Sequence, residues 1–441
     1  MCLIITYKYA FDPCLGPELA RIRRRLLNFF VLCSVGEGHR KIVTRESRFM
    51  SQPALHLNRY LRRIYIFHPV YNNSSIQIQA KMRLIFYLLV SLFSFAARAE
   101  IGPSRSRNVG RVDNVTMGSP PPLGMYVPVP TFFVGKNASN YNPITAPVDI
   151  DTQVAYSLYL AKSGITGLVL FGSTGEAIHV TNDERVKVIS ATRKALDEAG
   201  FKDYPLTAGT VTQIFEETIA QLESAKDAGA QWGVCLVPGY FAAATSQEGI
   251  IEWFTAIADS SPLPIMIYDY PTVSNNIKVT PATYAELAKH PNIVGAKLAH
   301  QDLSWHAQIC SNPSIDYTHF HPYTGLGQQL LSAIAVGATG AVDVVSAFFP
   351  KSAVHLFNLA SKEQPTVDEI KEAKLLQYKV SAAGEFVNKW SILGIKEAVG
   401  RLRNFGDRDS VRLPLLGTIS DSEWASWQDV IDIMEEQENS L

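Results

Sequence analysis

From Gly124 onward one rhythm repeats eight times: a short apolar, β-branched run, a polar turn, then a helix-like stretch. The runs are GMYVPVPTFF (124–133), GLVLFGSTGE (167–176), PLTAGTV (205–211), WGVCLVP (232–238), PIMIYDYP (264–271), IVGAKLA (293–299), DYTHFHPYTG (316–325) and GAVDVVS (340–346). They are continuously apolar rather than alternating, the pattern of strands buried on both faces of a parallel sheet. Residues 181–200 open with capping residues and acids and end at Gly200; 215–230, 246–261 and 280–291 follow the same helical plan. Eight such units in about 240 residues predict an α/β fold, a (β/α)8 TIM barrel. A doubly wound sheet is the competing architecture, but no GxGxxG follows the first run. Sequence from about Val367 to Trp390 and beyond is amphipathic helix left over after eight strands, which predicts additional C-terminal helices.

Charge divides the chain. Residues 1–100 hold 15 Lys+Arg and 5 Asp+Glu; the remainder holds 25 and 36. The acidic body argues against nucleic acid as a partner. The expected division is a basic leader over 1–116, a catalytic barrel over 117–362 and a C-terminal helical region over 363–441. Within the leader, MRLIFYLLVSLFSFAARAE (82–100) has the layout of a secretory signal, but in an internal position. The leader therefore reads as a disordered organelle-targeting sequence, as part of a secreted form starting at Met82, or as a gene-model artefact with translation starting near Met117. Asn73, Asn114 and Asn137 lie in glycosylation sequons, which matter only in a secreted chain. Of five cysteines only Cys235 and Cys310 fall in the body. Without a CxxC, a Cys/His cluster or an HExxH, no metal and no disulfide framework is expected. The body reads as intracellular: cytoplasmic, or alternatively mitochondrial.

In a barrel of this type the chemistry sits where strands end. The second run ends in Gly172-Ser173-Thr174-Gly175-Glu176. Its amides and hydroxyls either converge on an anion such as a carboxylate or form an ordinary capped turn. The fifth run delivers Tyr268 and stops at Pro271, which offers no ladder donor. Tyr268 either moves protons in a relay or packs with a satisfied hydroxyl. The sixth run carries Lys297 inside apolar sequence. An unpaired ammonium there is costly, and burial lowers its pKa and frees the amine to attack a carbonyl. The alternative is a lysine that snorkels to the mouth and pairs with Glu176 or Asp269. Tyr240, after the fourth run, either joins a relay or packs. His179, His300 and His321 are expected to be structural.

Together these residues resemble the dihydrodipicolinate synthase/N-acetylneuraminate lyase family of class I pyruvate aldolases, from about Gly124 to about Val399. GSTGE is similar to the family's GTTGE, YDYP to its Y-x-x-P, GAK to its G-x-K, and GATGAVDVVSAFFP (337–350) to its Gly-rich eighth-strand segment. The resemblance implies that Lys297 forms an imine with the keto carbon of a 2-keto acid and that Tyr268 moves the C4 hydroxyl proton. It implies that Ser173 and Thr174, with Gly172, hold the carboxylate, and that Tyr240 is a relay residue contributed across a subunit interface. Val273 and Gly325 complete the implied substrate-binding set. No metal or organic cofactor is implied, and a homo-oligomer, tetramer or dimer, is.

Two positions depart from the dihydrodipicolinate synthases. Val273 stands where an arginine grips the second substrate, and Leu298 where an aspartate follows the lysine. YDYPT is closer to the YNYPT of 2-keto-3-deoxy sugar-acid aldolases. The resemblance therefore implies retro-aldol cleavage of a 2-keto-3-deoxy sugar acid, or of 4-hydroxy-2-oxoglutarate, to pyruvate and an aldehyde. Dihydrodipicolinate-type condensation, or dehydration by the same imine, is the alternative.

Overall fold

The computed structural model describes residues 118–441. The expectations placed on residues 1–116, including the signal-like segment and the sequons at Asn73 and Asn114, lie outside the described residues. The strands are β1 (Gly124–Pro128), β2 (Gly167–Leu170), β3 (Leu206–Thr210), β4 (Trp232–Leu236), β5 (Ile265–Asp269), β6 (Ile293–Leu298), β7 (His321–Thr324) and β8 (Gly340–Val342). All pair in parallel with their sequence neighbours, and β8 closes on β1, so the sheet is the predicted closed barrel. The outer helices are α1 (Ile150–Lys162), α2 (Asn182–Glu198), α3 (Phe215–Asp227), α4 (Gln247–Ser260), α5 (Pro281–Leu287), α6 (Leu303–Cys310), α7 (Leu330–Ala335) and α8 (Pro350–Ala360).

Several strands are shorter than their apolar runs. β1 stops at Pro128, two residues before Pro130, because proline donates nothing to a ladder. β8 gives way to a 3-10 turn at Val345–Ala347, whose first amide donates to the Asp343 carboxylate at 3.0 Å. β7 begins only at His321, which places that histidine at the opposite end of its strand from the mouth. There its Nδ1 lies 2.8 Å from the Pro121 carbonyl. The hydroxyls of Tyr126 and Tyr323 donate to the Pro122 carbonyl at 2.8 and 2.9 Å, so the segment before β1 plugs the lower end of the barrel.

Inside the barrel Tyr126, Val169, Val234, Met266, Tyr268, Val294, Tyr323 and Val342 pack as one cluster. Outward-facing strand residues meet the helices in two larger clusters. Beyond the barrel run α9 (Val367–Arg403), α10 (Asp421–Ala425) and α11 (Gln428–Ser440). Thr366 and Glu369 form a capping box at the start of α9. Ser391 breaks that helix with φ 51° and ψ −138°. Before the break Phe386 packs edge to face with Trp424 and Trp427, and after it Lys396 reaches Glu176 in the turn after β2.

Candidate active site

Lys297 and Tyr268 are register partners on adjacent strands at the mouth, as are Lys297 and Tyr323. Side chains alternate along a strand, so partners in register point to the same face, here the interior. The Lys297 ammonium lies 4.2 Å from the centroid of the Tyr268 ring, and the residue is 4% exposed. Burial pushes its pKa down to about 7, opposed by the Asp343 carboxylate. The acids that could have paired with it are engaged elsewhere. Glu176 meets Lys396, 2.5 Å away, and Asp269 accepts from the Tyr284 hydroxyl at 3.2 Å. Lys297 is thus an amine without a salt-bridge partner among the described residues, largely uncharged above neutral pH.

Tyr268 is buried, and its hydroxyl is 2.9 Å from Ser173 Oγ. Burial raises its pKa, and the Ser173 bond partly offsets this. Tyr270 stacks against its ring at a centroid distance of 5.9 Å. Strand end and turn thus bring together three of the residues singled out in sequence: amine, phenol and serine hydroxyl.

The Ser173 turn is fixed by backbone. The Glu176 amide donates to the Ser173 carbonyl at 3.1 Å, and Thr131 Oγ donates to the Gly175 carbonyl at 2.7 Å. Thr174 is buried beside Ser173. Gly172 borders open space: a Cβ there would meet nothing within 4 Å. Gly325 is glycine for a different reason, because a Cβ would overlap Ala299 where its amide donates to the Leu298 carbonyl at 2.7 Å. It joins the ends of β6 and β7 beside Lys297.

Val273 lies on the turn after Pro271 and is 46% exposed. Tyr240 is 78% exposed; its amide donates to Gln213 Oε1 at 3.0 Å and its ring packs on Phe241. Its hydroxyl makes no hydrogen bond among the described residues, so it does not extend the Tyr268–Ser173 pair. His300 is buried against His306, ring centroids 4.6 Å apart, and burial pushes its pKa down to about 4. Among the described residues no group of three or more His, Cys, Asp or Glu is placed to hold a metal ion.

Asp343 was not singled out in sequence. Its carboxylate accepts from the amides of Gly327 at 2.7 Å and Val345 at 3.0 Å. Those donors come from the loop after β7 and the turn after β8, a pairing that no local pattern announces.

A parallel eight-stranded barrel with a buried, unpaired amine beside a phenol at its mouth defines an enzyme of carbonyl chemistry. The chain belongs to the dihydrodipicolinate synthetase family, which it matches over residues 149–431. It is 33% identical over 291 residues to an L-threo-3-deoxy-hexylosonate aldolase of Hypocrea jecorina, covering 65% of this chain and 88% of that protein. It is 30% identical over 285 residues to a protein of Emericella nidulans named "Probable 4-hydroxy-2-oxoglutarate aldolase, mitochondrial", covering 65% and 87%. Among solved structures, a dihydrodipicolinate synthase family protein of Coccidioides immitis aligns with a TM-score of 0.63 at 25% identity, over 74% of this chain and all of that one.

Proposed function

We propose that the chain is a Schiff-base aldolase that cleaves a 2-keto-3-deoxy sugar acid, or 4-hydroxy-2-oxoglutarate, to pyruvate and an aldehyde. The observation that carries this is the Lys297 amine, buried, unpaired and 4.2 Å from the Tyr268 ring. The names of the Hypocrea and Emericella relatives support the substrate class. Val273 leaves no cation on the turn after Pro271, which disfavours condensation with a carboxylate-bearing aldehyde and, on the cleavage side, ranks the sugar acid above 4-hydroxy-2-oxoglutarate, whose aldehyde half carries a carboxylate.

The steps follow from the geometry. The Ser173 and Thr174 hydroxyls, with the amides of their turn, hold the keto acid's carboxylate and aim C2 at Lys297. The neutral amine adds to C2, and water leaves with the proton of the Tyr268 hydroxyl, giving a protonated imine beside a phenolate. Tyr268, as phenolate within its Ser173 bond, takes the proton of the C4 hydroxyl. The C3–C4 bond breaks, its electrons pass into the iminium, and the aldehyde departs from an enamine. Protonation at C3 and hydrolysis of the imine release pyruvate and restore the amine.

Two features support a homo-oligomer. Ile214, Tyr240, Phe241 and Val273 are exposed apolar residues on neighbouring loops after β3, β4 and β5. The Tyr240 hydroxyl also lacks a partner among the described residues, and a second copy seated on these loops would supply one. Family membership alone does not fix assembly, since one structure of the same fold is described as a monomeric dihydrodipicolinate synthase variant. For location, the basic, acid-poor first 100 residues and the relatives named mitochondrial support the mitochondrion over the cytoplasm. Among the described residues no helix is long and apolar enough to cross a membrane.

Borohydride reduction in the presence of pyruvate tests the reading. The expected product is one adduct per chain on the peptide holding Lys297, absent in Lys297→Ala. Tyr268→Phe should keep the adduct but slow pyruvate release from a hydroxy-keto acid by about 100-fold or more, the usual worth of a positioned acid/base. No adduct, or full turnover in Tyr268→Phe, would remove the corresponding role.

A further inference from the structure

The segment after α9 reaches the rim where β1 and β2 end. Lys396, near the end of that helix, places its ammonium 2.5 Å from Glu176 Oε1, with both side chains 2% exposed. The same ammonium donates to the Ser410 carbonyl at 2.6 Å and lies 4.5 Å from the centroid of the Phe133 ring. Arg412 covers that ring at 4.4 Å, donates to the Ala146 carbonyl at 2.7 Å and pairs with Glu184 in the first turn of α2. Lys136 meets Asp409 at 2.5 Å. Residues 405–412 thus form a strap across the loops that follow β1 and β2.

Glu176 is the last residue of the turn that begins at Ser173. Its backbone is left-handed, φ 49° and ψ 39°, a conformation unfavourable for a residue with a Cβ. Such a conformation persists where the surroundings impose it. Among the described residues Oε1 meets only the Lys396 ammonium, and Oε2 only His179 Nδ1, 3.5 Å away. The two charges lie in a buried site, where either ion alone would be strongly disfavoured.

We propose that the Glu176–Lys396 pair is a positioning device for substrate: it bolts the Ser173–Glu176 turn to the C-terminal strap and so fixes the hydroxyls of Ser173 and Thr174 where the keto acid's carboxylate docks. This rests on the reading of Ser173 and Thr174 as the carboxylate clamp. Lys396 touches no reacting atom and acts through Glu176. Burial pushes the Lys396 pKa down while Glu176 pushes it back up, so the pair holds as charges only while both partners are present.

The test compares two ketones on the full chain. Pyruvate carries a carboxylate and acetone, of similar size, does not. Borohydride trapping at Lys297 is followed over a concentration series in wild type, in Lys396→Met and in the milder Lys396→Gln. The half-saturating pyruvate concentration should rise about tenfold in both variants, within the ~100-fold that misplacement of a reacting group can cost. The rate of acetone trapping should stay at the wild-type value. An unchanged pyruvate half-saturation in a variant with the wild-type circular dichroism spectrum overturns the proposal. A parallel fall with both ketones overturns it too, because the amine rather than the clamp would then be disturbed. Loss of fold in both variants also counts against it, since the pair would be holding the barrel. Failure of the wild type to trap pyruvate would instead remove the Schiff-base reading.

Discussion

At the residue scale the proposed chemistry turns on the state of one amine. With a pKa near 7 rather than the usual lysine range, the Lys297 amine is mostly neutral at pH 8 and mostly charged at pH 6. Only the neutral form attacks a carbonyl. The rate of pyruvate imine formation, read by borohydride trapping below saturation, should therefore rise with pH through about 7 and then level off. The Asp343 carboxylate raises that pKa, so Asp343→Asn should move the inflection to lower pH. An inflection that stays in place or moves up would take Asp343 out of the electrostatics of the site. Lys297 was legible in sequence because an ammonium inside an apolar strand is costly wherever the chain folds. Asp343 was not, since its partners are the amides of Gly327 and Val345, set by the meeting of two loops. For the same reason the partner of Glu176 was not legible. Pairing of Lys297 with Glu176 or Asp269 was the alternative reading, and long-range folding brings Lys396 to Glu176 instead.

At the scale of elements, strands read well and their ends did not. Continuous apolar runs identified most of the strands because parallel strands are buried on both faces, while β7, His-Pro-Tyr-Thr, was legible only from the repeating rhythm. Their limits depended on prolines, on the 3-10 turn after β8 and on where the ladder lost partners. The helix between β1 and β2 carries little apolar periodicity, because Gln153 and Ser157 are buried on its core face. Gln153 Oε1 accepts from the Phe132 amide at 3.1 Å and Nε2 donates to the Pro130 carbonyl at 3.2 Å. The join between β2 and β3 carries a prediction of its own. A Cβ on Gly209 would overlap the carbonyl oxygen of Phe171, which itself has φ 59° and leads into the Ser173 turn. The obstacle is backbone, so the chain must shift rather than a side chain rotate. Gly209→Ala should cost about 2 kcal/mol, in the range of overpacked cores, and should weaken pyruvate trapping by displacing the turn. Urea unfolding and the trapping assay check both parts; wild-type values in each would mean that β2 and β3 separate at little cost.

At the scale of the whole molecule, the described chain leaves one part of its mouth without a cover. Ile214, Tyr240, Phe241 and Val273 present apolar surface on adjacent loops: the Tyr240 amide donates to Gln213, and Gly239 packs directly on the Ser274 backbone. A contiguous exposed apolar surface beside a reaction site is the kind that a partner covers. If a second copy covers it, Tyr240 changes from a solvent-exposed ring to a buried hydroxyl near its partner's site, and assembly becomes a condition of turnover. Sedimentation of the full chain should then give a multiple of 48.7 kDa. Tyr240→Ala with Phe241→Ala should shift the equilibrium toward 48.7 kDa and lower pyruvate release in step with the fraction dissociated. Raising the protein concentration should restore the mass by mass action. It should restore turnover only partly, because Tyr240 would still be missing from the relay. A wild-type chain that sediments as a monomer at full turnover would show that the Tyr268–Ser173 pair suffices, and that these loops face solvent in the working enzyme.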